Sequence, residues 1–245
     1  MSGFAGVNEI MNKKHLQKAF IDTIPVLSGY IVLGIGFGLV LNAKGYGVIW
    51  AFIMSTWIYA GSMQYLAVDL MAGGASLVTT ALTTLMVNAR HLFYGISMID
   101  RYKDTGKKKP YIIYALTDET YSLVCTENAG EGFEDRSDYY FLVSLLDQTY
   151  WVLGSVIGNV LGATVNINTE GVDFALTALF VTVFVEQWLS TKDHRSAVIG
   201  VTASVACLLI FGSGNFLIPA MLVITFALTV LKKIDGQKKG GRQNG

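Results

Sequence analysis

The chain is poor in the residues that carry most soluble-enzyme chemistry. Its 245 residues include two cysteines, three histidines and 15% charged side chains, with 18 basic and 18 acidic residues in balance. Cys125 and Cys207 lie in apolar context without metal-ligand spacing, so no disulfide and no zinc site is assigned. The zero net charge offers no basic face for nucleic acid. No Gly-x-Ser-x-Gly and no His-Glu-x-x-His is present, and His15 and His194 fall outside the apolar runs, which leaves a membrane hydrolase without its machinery. The expectation is a protein that is not an enzyme and needs no cofactor.

Hydrophobic length is what the chain has instead. It is 52% hydrophobic with mean hydropathy +0.48, and its charges gather in short stretches, the composition of a membrane protein. The length fits one bundle of about six to eight spans at roughly 20 residues each. Residues 1–18 form a polar N-terminus, 19–231 the membrane bundle and 232–245 a disordered basic tail, within one integral membrane domain.

The first run, Phe20 to Leu41, is too long for a signal-peptide core and reads as a retained span. Its Gly34 and Gly38 have the small-xxx-small spacing that lets helices touch backbone to backbone. A second run extends from Val48 to about Met71, where Ala60-Gly61-Ser62 could open the helix and Gln64 is polar at depth. There a substrate-facing break and a packing seam remain open alternatives. The third run, Ala75 to Ile99, contains Asn88-Ala89-Arg90-His91, and a charge at that depth costs at least about 2.5 kcal/mol on insertion scales. Such residues face a bundle interior and serve a pathway or a site.

Arg101 to Pro110 is the densest basic segment and belongs in the cytoplasm. Tyr111 to Cys125 is interrupted by Thr117-Asp118-Glu119-Thr120 and reads as broken or re-entrant. After a solvated loop, Tyr139 to Val165 carries Asp147-Gln148 and a ladder of Gly154, Gly158 and Gly162. Asp173 to Leu189 ends in Glu186-Gln187-Trp188, His194 is a loop residue, and Ser196 to Leu231 is broken by Gly212-Ser-Gly-Asn215. The predicted fold is all-α and polytopic, with about seven transmembrane helices, broken or re-entrant elements and a faint repeat of two three-helix units.

One conflict stands in this reading. Lys13, Lys14 and Lys18 want the cytoplasm as much as the Arg101 segment does, yet three full spans would lie between them. Either the N-terminus is outside or the Asn88 stretch is not a simple span.

A small zwitterion needs one partner for its carboxylate and another for its ammonium. Arg90 or a half-helix N-terminus suits the first, and Asp118, Glu119 or unwound carbonyls suit the second. Asn88, Gln64, Asp147 and Glu186 complete the polar set, while His91 and a desolvated Asp118 or Glu119 are the candidate proton carriers.

Pro25 with the Gly-rich first span, Tyr59-Ala-Gly-Ser-Met-Gln64, Asn88-Ala-Arg-His-Leu-Phe-Tyr94, Thr117-Asp-Glu-Thr120, Trp151-Val-Leu-Gly154 and Asp173-Phe-Ala-Leu176, in that order, resemble the AzlC-type branched-chain amino acid permeases. The resemblance covers about residues 18–230. It implies a multi-pass exporter of leucine, isoleucine and valine or analogues in the bacterial inner membrane, working with a small hydrophobic AzlD-type protein. It carries over the positions Gln64, Asn88, Arg90, His91, Asp118 and Glu119, and their chemistry assigns substrate contact to Arg90, Asn88, Gln64 and Asp118, with Ser62 beside them, and proton coupling to His91 and Glu119. The alternative is a channel-like or regulatory subunit for another small zwitterionic or amphipathic solute.

Overall fold

The computed structural model describes residues 13–165, 174, 177, 181, 184, 185, 188, 189, 191, 193–212 and 216–240, all in helices, turns or irregular backbone with no strand among them. The chain divides into two compact units, Met1–Ala178 and Leu179–Gly245.

The first unit is built on two long helices, α1 (Lys13–Ala43) and, later in the chain, the helix Arg136–Thr164. These are the two helices long and apolar enough to cross a bilayer among the described residues. They run parallel, since Tyr139 donates to Asp22 at 2.9 Å near their starts and Asn159 donates to the Gly38 carbonyl at 3.3 Å near their ends. The two glycine stripes seen in the sequence face each other along this seam. A Cβ at Gly38 would sit 2.2 Å from the Ser155 carbonyl oxygen, and one at Gly158 would sit 2.1 Å from that of Ile35. Only glycine permits that approach, and in lipid, where apolar burial drives little, such close packing is the main source of helix association.

The second run does not span. It enters as α2 (Val48–Ile53), continues as a single π turn (Met54–Ile58) and stops at Tyr59, whose φ of 41° and ψ of 47° are left-handed. It leaves as α3 (Gly61–Ala72). Gln64 Nε2 lies 3.4 Å from Ser55 Oγ, nine residues back, where a straight helix would hold their backbones about 13 Å apart. Lys44, before the run, lies 3.7 Å from Asp69 near its end. The run is therefore a hairpin that returns to its starting end. Gly61 lets the tip of this hairpin pack against Trp151, whose ring would stand 3.1 Å from a Cβ there.

The third run is α4 (Leu77–Val87) and α5 (Ala89–Ser97), joined at Asn88, whose φ of −90° and ψ of 2° interrupt the helix for one residue. Next come α6 (Lys109–Tyr114) and α7 (Asp118–Val124), with Thr117 capping the latter. Arg101 donates to the carbonyls of Val124 at 3.0 Å and Thr126 at 2.6 Å, while Lys108 reaches Ser137 at 2.9 Å and pairs with Asp138. Both ends of residues 109–124 thus lie at one end of the unit, the re-entrant form expected from the sequence. The helix Arg136–Thr164, α8 from here on, follows.

The topological conflict now disappears. With residues 48–72 folded back, α1 and the kinked α4–α5 pair are the two traverses between Lys18 and Arg101. Both basic segments therefore end up at the same end. Consistently, Ala19, Met98, Tyr102 and Tyr139 are buried in one cluster. The break left open at Ala60-Gly61-Ser62 is found, at Tyr59–Ala60; what fails is the counting of this run as a full span, because a hydropathy window cannot distinguish one long helix from two half-helices of equal apolarity.

In the second unit, α9 (Arg195–Phe211) packs against α10 (Leu217–Gly240), and Trp188 stacks on His194 at 4.0 Å. Helix α10 runs past Lys232 to Gly240, so residues 232–240 are helical rather than the disordered tail expected from their charge. Lysine and glutamine are good helix formers, and extending an existing helix avoids the cost of nucleation. Glu186, Gln187 and Asn215 lie outside the described residues, as does most of the Asp173 to Leu189 run on which the repeat and the seven-span count depend.

Candidate functional site

The two hairpin tips and the Asn88 kink converge. The rings of Tyr59 and Tyr114, one from each tip, are 6.3 Å apart, and the Tyr114 hydroxyl donates to the Thr56 carbonyl. Backbone groups freed at Tyr59–Ala60 and at Ala115–Thr117 are thereby held inside protein, the one setting in which non-helical backbone is tolerated at membrane depth.

Arg90 ties the three breaks together. Its guanidinium donates to Ser62 Oγ in the first turn of α3 at 2.7 Å and forms an ion pair with Asp118 in the first turn of α7. The Tyr94 hydroxyl donates to the same Asp118 carboxylate. Pairing neutralises two charges that would be costly alone. Yet Arg90 Nε is buried without a hydrogen-bond partner. One donor of the fork remains unused, close to the N-terminus of α3, where helical N–H groups also lack helical acceptors.

Beside this pair lies a cavity of about 610 Å³ whose wall includes Ile58, Leu92, Ile96, Ile113 and Leu116. Asn88 and His91 supply polar edges. The Asn88 side-chain oxygen is buried and unpartnered, and His91 Nδ1 lies 3.1 Å from the Asn88 carbonyl with its ring edge-on to Tyr94 at 5.2 Å.

The remaining predicted residues fall elsewhere. Gln64 is fully buried and occupied, accepting from the Trp151 indole at 2.8 Å and reaching Ser55, so it locks the first hairpin onto α8. Glu119 turns away from Arg90 and accepts from the Tyr30 hydroxyl at 2.7 Å. Ser62, Arg90, Asp118, Asn88 and His91 are gathered by the structure; Gln64 and Glu119 belong to neighbouring networks. Among the described residues no group of three or more His, Cys, Asp or Glu forms a metal site.

Asp147 was not among the residues singled out for a role, though it has 0% exposure and accepts from Thr120 Oγ1 at 2.7 Å. Helical spacing carries the missing signal: Asp147, Trp151, Gly154 and Gly158 share one face of α8, the face the glycine ladder turns inward. Tyr30, Tyr94 and Thr120 are uncharged, and nothing in an apolar run marks such residues as site members.

The family is decided by comparison with known proteins. Residues 25–165 match the family described as AzlC protein. The chain belongs to the AzlC family. This AzlC-family chain is 45% identical over 232 residues to the branched-chain amino acid transport protein AzlC of Bacillus subtilis, covering 93% of the chain and 91% of that relative. An uncharacterised membrane protein of Helicobacter pylori is 39% identical over 220 residues, 90% of the chain and 96% of its own length. One from Haemophilus influenzae is 39% identical over 215 residues, 87% and 88% of the two chains. No solved structure matches.

Proposed function

We propose that this AzlC-family protein is a secondary transporter that exports leucine, isoleucine, valine or close analogues across the bacterial inner membrane, driven by the proton gradient. The observation that carries this reading is the Arg90–Asp118 pair with an unused guanidinium donor, set between two half-helices beside an apolar cavity. A zwitterion can split that pair at little electrostatic cost. Its carboxylate takes Arg90 and the freed N–H groups of α3, its ammonium takes Asp118, and every charge keeps a counter-ion as one pair becomes two.

The side chain of such a substrate would enter the cavity, where Ile58, Leu92 and Ile113 offer apolar contact, with Lys109 the lysine in its wall. Asn88 Oδ1 supplies a further acceptor for the ammonium. Discrimination against larger or polar amino acids then rests on a few methylenes, worth about 1–3 kcal/mol each. Ser62 holds Arg90 in place, Gln64 acts indirectly through Trp151, and His91 and Glu119 are the groups assigned to proton coupling.

Orientation follows from the basic segments. With Lys13 to Lys18 and Arg101 to Lys109 at one end, the positive-inside rule makes that end cytoplasmic. Single-domain organisation, about seven spans, the two-unit repeat and association with a small hydrophobic AzlD-type protein are part of the same proposal. Leucine efflux from cells loaded with a leucine dipeptide, with and without the protein and its small partner, tests it. Faster efflux is expected when both are present, and unchanged efflux overturns the proposal.

A further inference from the structure

Beyond Glu119, the polar network beneath the Arg90–Asp118 pair has no assigned role. Glu119 Oε2 contacts the Tyr30 hydroxyl at 2.7 Å, Tyr30 contacts Thr117 Oγ1 at 2.7 Å, Thr117 contacts Thr120 Oγ1 at 3.1 Å, and Thr120 contacts Asp147 Oδ2 at 2.7 Å. A carboxyl stands at each end and only hydroxyls lie between. Glu119 is half-buried, whereas Asp147 is fully buried with Oδ1 lacking any partner.

Counting protons in this row is informative. It has four contacts, but its three hydroxyls bring three protons, so with both carboxyls ionised one contact goes unfilled. One added proton fills the row in either of two ways. On Glu119, it makes every O–H point toward Asp147. On Asp147, it makes every O–H point toward Glu119.

We propose that Asp147 is the inner proton-carrying carboxyl of the transporter, and that Tyr30, Thr117 and Thr120 relay the proton between it and Glu119. This rests on the proton-driven reading above and adds the path and its terminus. In the transfer, the Glu119 O–H bond breaks as the proton passes to Tyr30. Tyr30 gives its own to Thr117, Thr117 to Thr120, and Thr120 to Asp147 Oδ2. Each hydroxyl loses one proton and gains one, and no other reactant is consumed.

The surroundings of Asp147 suit this role. The ionisable groups acting on it are Glu119 from α7, Tyr59 from the first hairpin, Tyr111 from α6, and Tyr139 and Tyr150 from its own helix, with Tyr30 of α1 next along the row. None of these described groups is cationic. A buried carboxylate without a countercharge is expensive, so a proton on Asp147 is favoured, and in the proposed cycle that proton comes and goes with transport. Glu119 and Asp118 are neighbours in the first turn of α7, which links proton occupancy to the carboxylate that holds Arg90.

The test uses the full-length protein with its small partner in liposomes, as wild type, Asp147→Asn, Thr120→Val and Thr120→Ser. Leucine counterflow reads substrate exchange without net proton movement, and accumulation under an imposed pH gradient reads coupling. Asp147→Asn and Thr120→Val are expected to keep counterflow and lose gradient-driven accumulation by about 10²-fold, while Thr120→Ser keeps both. Undiminished accumulation in Asp147→Asn overturns the relay. A wild type without counterflow overturns the transport reading instead. The relay then stands or falls by infrared difference spectra after an acid step, where the protonated-carboxyl region of wild type must contain a component that is missing from Asp147→Asn, and identical spectra overturn it.

Discussion

The seam between α1 and α8 gives the most quantitative prediction. Replacing Gly158 by alanine puts a methyl carbon 2.1 Å from the Ile35 carbonyl oxygen, and Gly38→Ala puts one 2.2 Å from that of Ser155. Both clashes are with backbone, so no side chain can swing aside. Restoring normal contact at about 3.5 Å requires the helices to part by about 1.4 Å, which also loosens the dispersion contacts along the rest of the stripe. Overpacking of this kind costs about 1–3 kcal/mol, and the rigid neighbours place both variants near the upper figure. Gly29→Ala is the control, because nothing lies within 4 Å of its added methyl. There the better helix propensity of alanine should give a gain of about 0.5–1 kcal/mol. Unfolding in dodecyl maltoside titrated with SDS, followed by tryptophan fluorescence, should therefore separate Gly158→Ala from Gly29→Ala by about 3.5–4 kcal/mol. Equal midpoints for the two would refute the backbone contact as the source of stability.

Other outcomes follow from single contacts. Arg90→Ala should weaken leucine binding by roughly 10- to 150-fold, the equivalent of about 1.5–3 kcal/mol for a charged hydrogen bond, and counterflow titrations would reveal it. Gln64→Leu strands the Trp151 indole N–H in a dry site and should cost about 1–3 kcal/mol of stability, most of it recovered when Trp151→Phe is added; an additive double variant would speak against the bond. At the basic end, partial burial opposes ionisation of Asp135, but hydrogen bonds from the Ser137 hydroxyl and N–H and the charge of Lys108 outweigh it and hold the carboxyl below its usual 3.8. A carboxyl lowered by folding stabilises fully above that usual value and progressively less as the pH falls below it. Asp135→Asn, which keeps a capping side chain, should flatten the acid side of a melting-temperature profile, and an unchanged profile would contradict this.

Much of the centre was legible in the residues. Arg90 at depth demanded a partner, and the nearest acids in a broken run, Asp118 and Glu119, contain that partner. The glycine pair of the first span and the ladder of Tyr139 to Val165 each announced a seam, although nothing in the sequence said that they face each other. The second run was misread because Val48 to Met71 has the length and apolarity of a span. Two clues pointed the other way: Ala60-Gly61-Ser62, which could open the helix, and two basic segments that three crossings would have set on opposite sides. Asp147 was present in the polar set but without a role, since its importance comes from burial and from Thr120, a residue that looks like any hydroxyl on a helix. Gln64 shows the opposite limit, being polar at depth yet committed to Trp151.

In the proposed cycle a zwitterion replaces the Arg90–Asp118 contact. Competition against labelled leucine counterflow, with leucinamide lacking the carboxylate and 4-methylpentanoate lacking the ammonium, addresses it most directly. Unlabelled leucine should compete fully and neither truncated analogue should, because each would leave one member of the split pair without its counter-ion. Competition by leucinamide as strong as that by leucine would contradict the account.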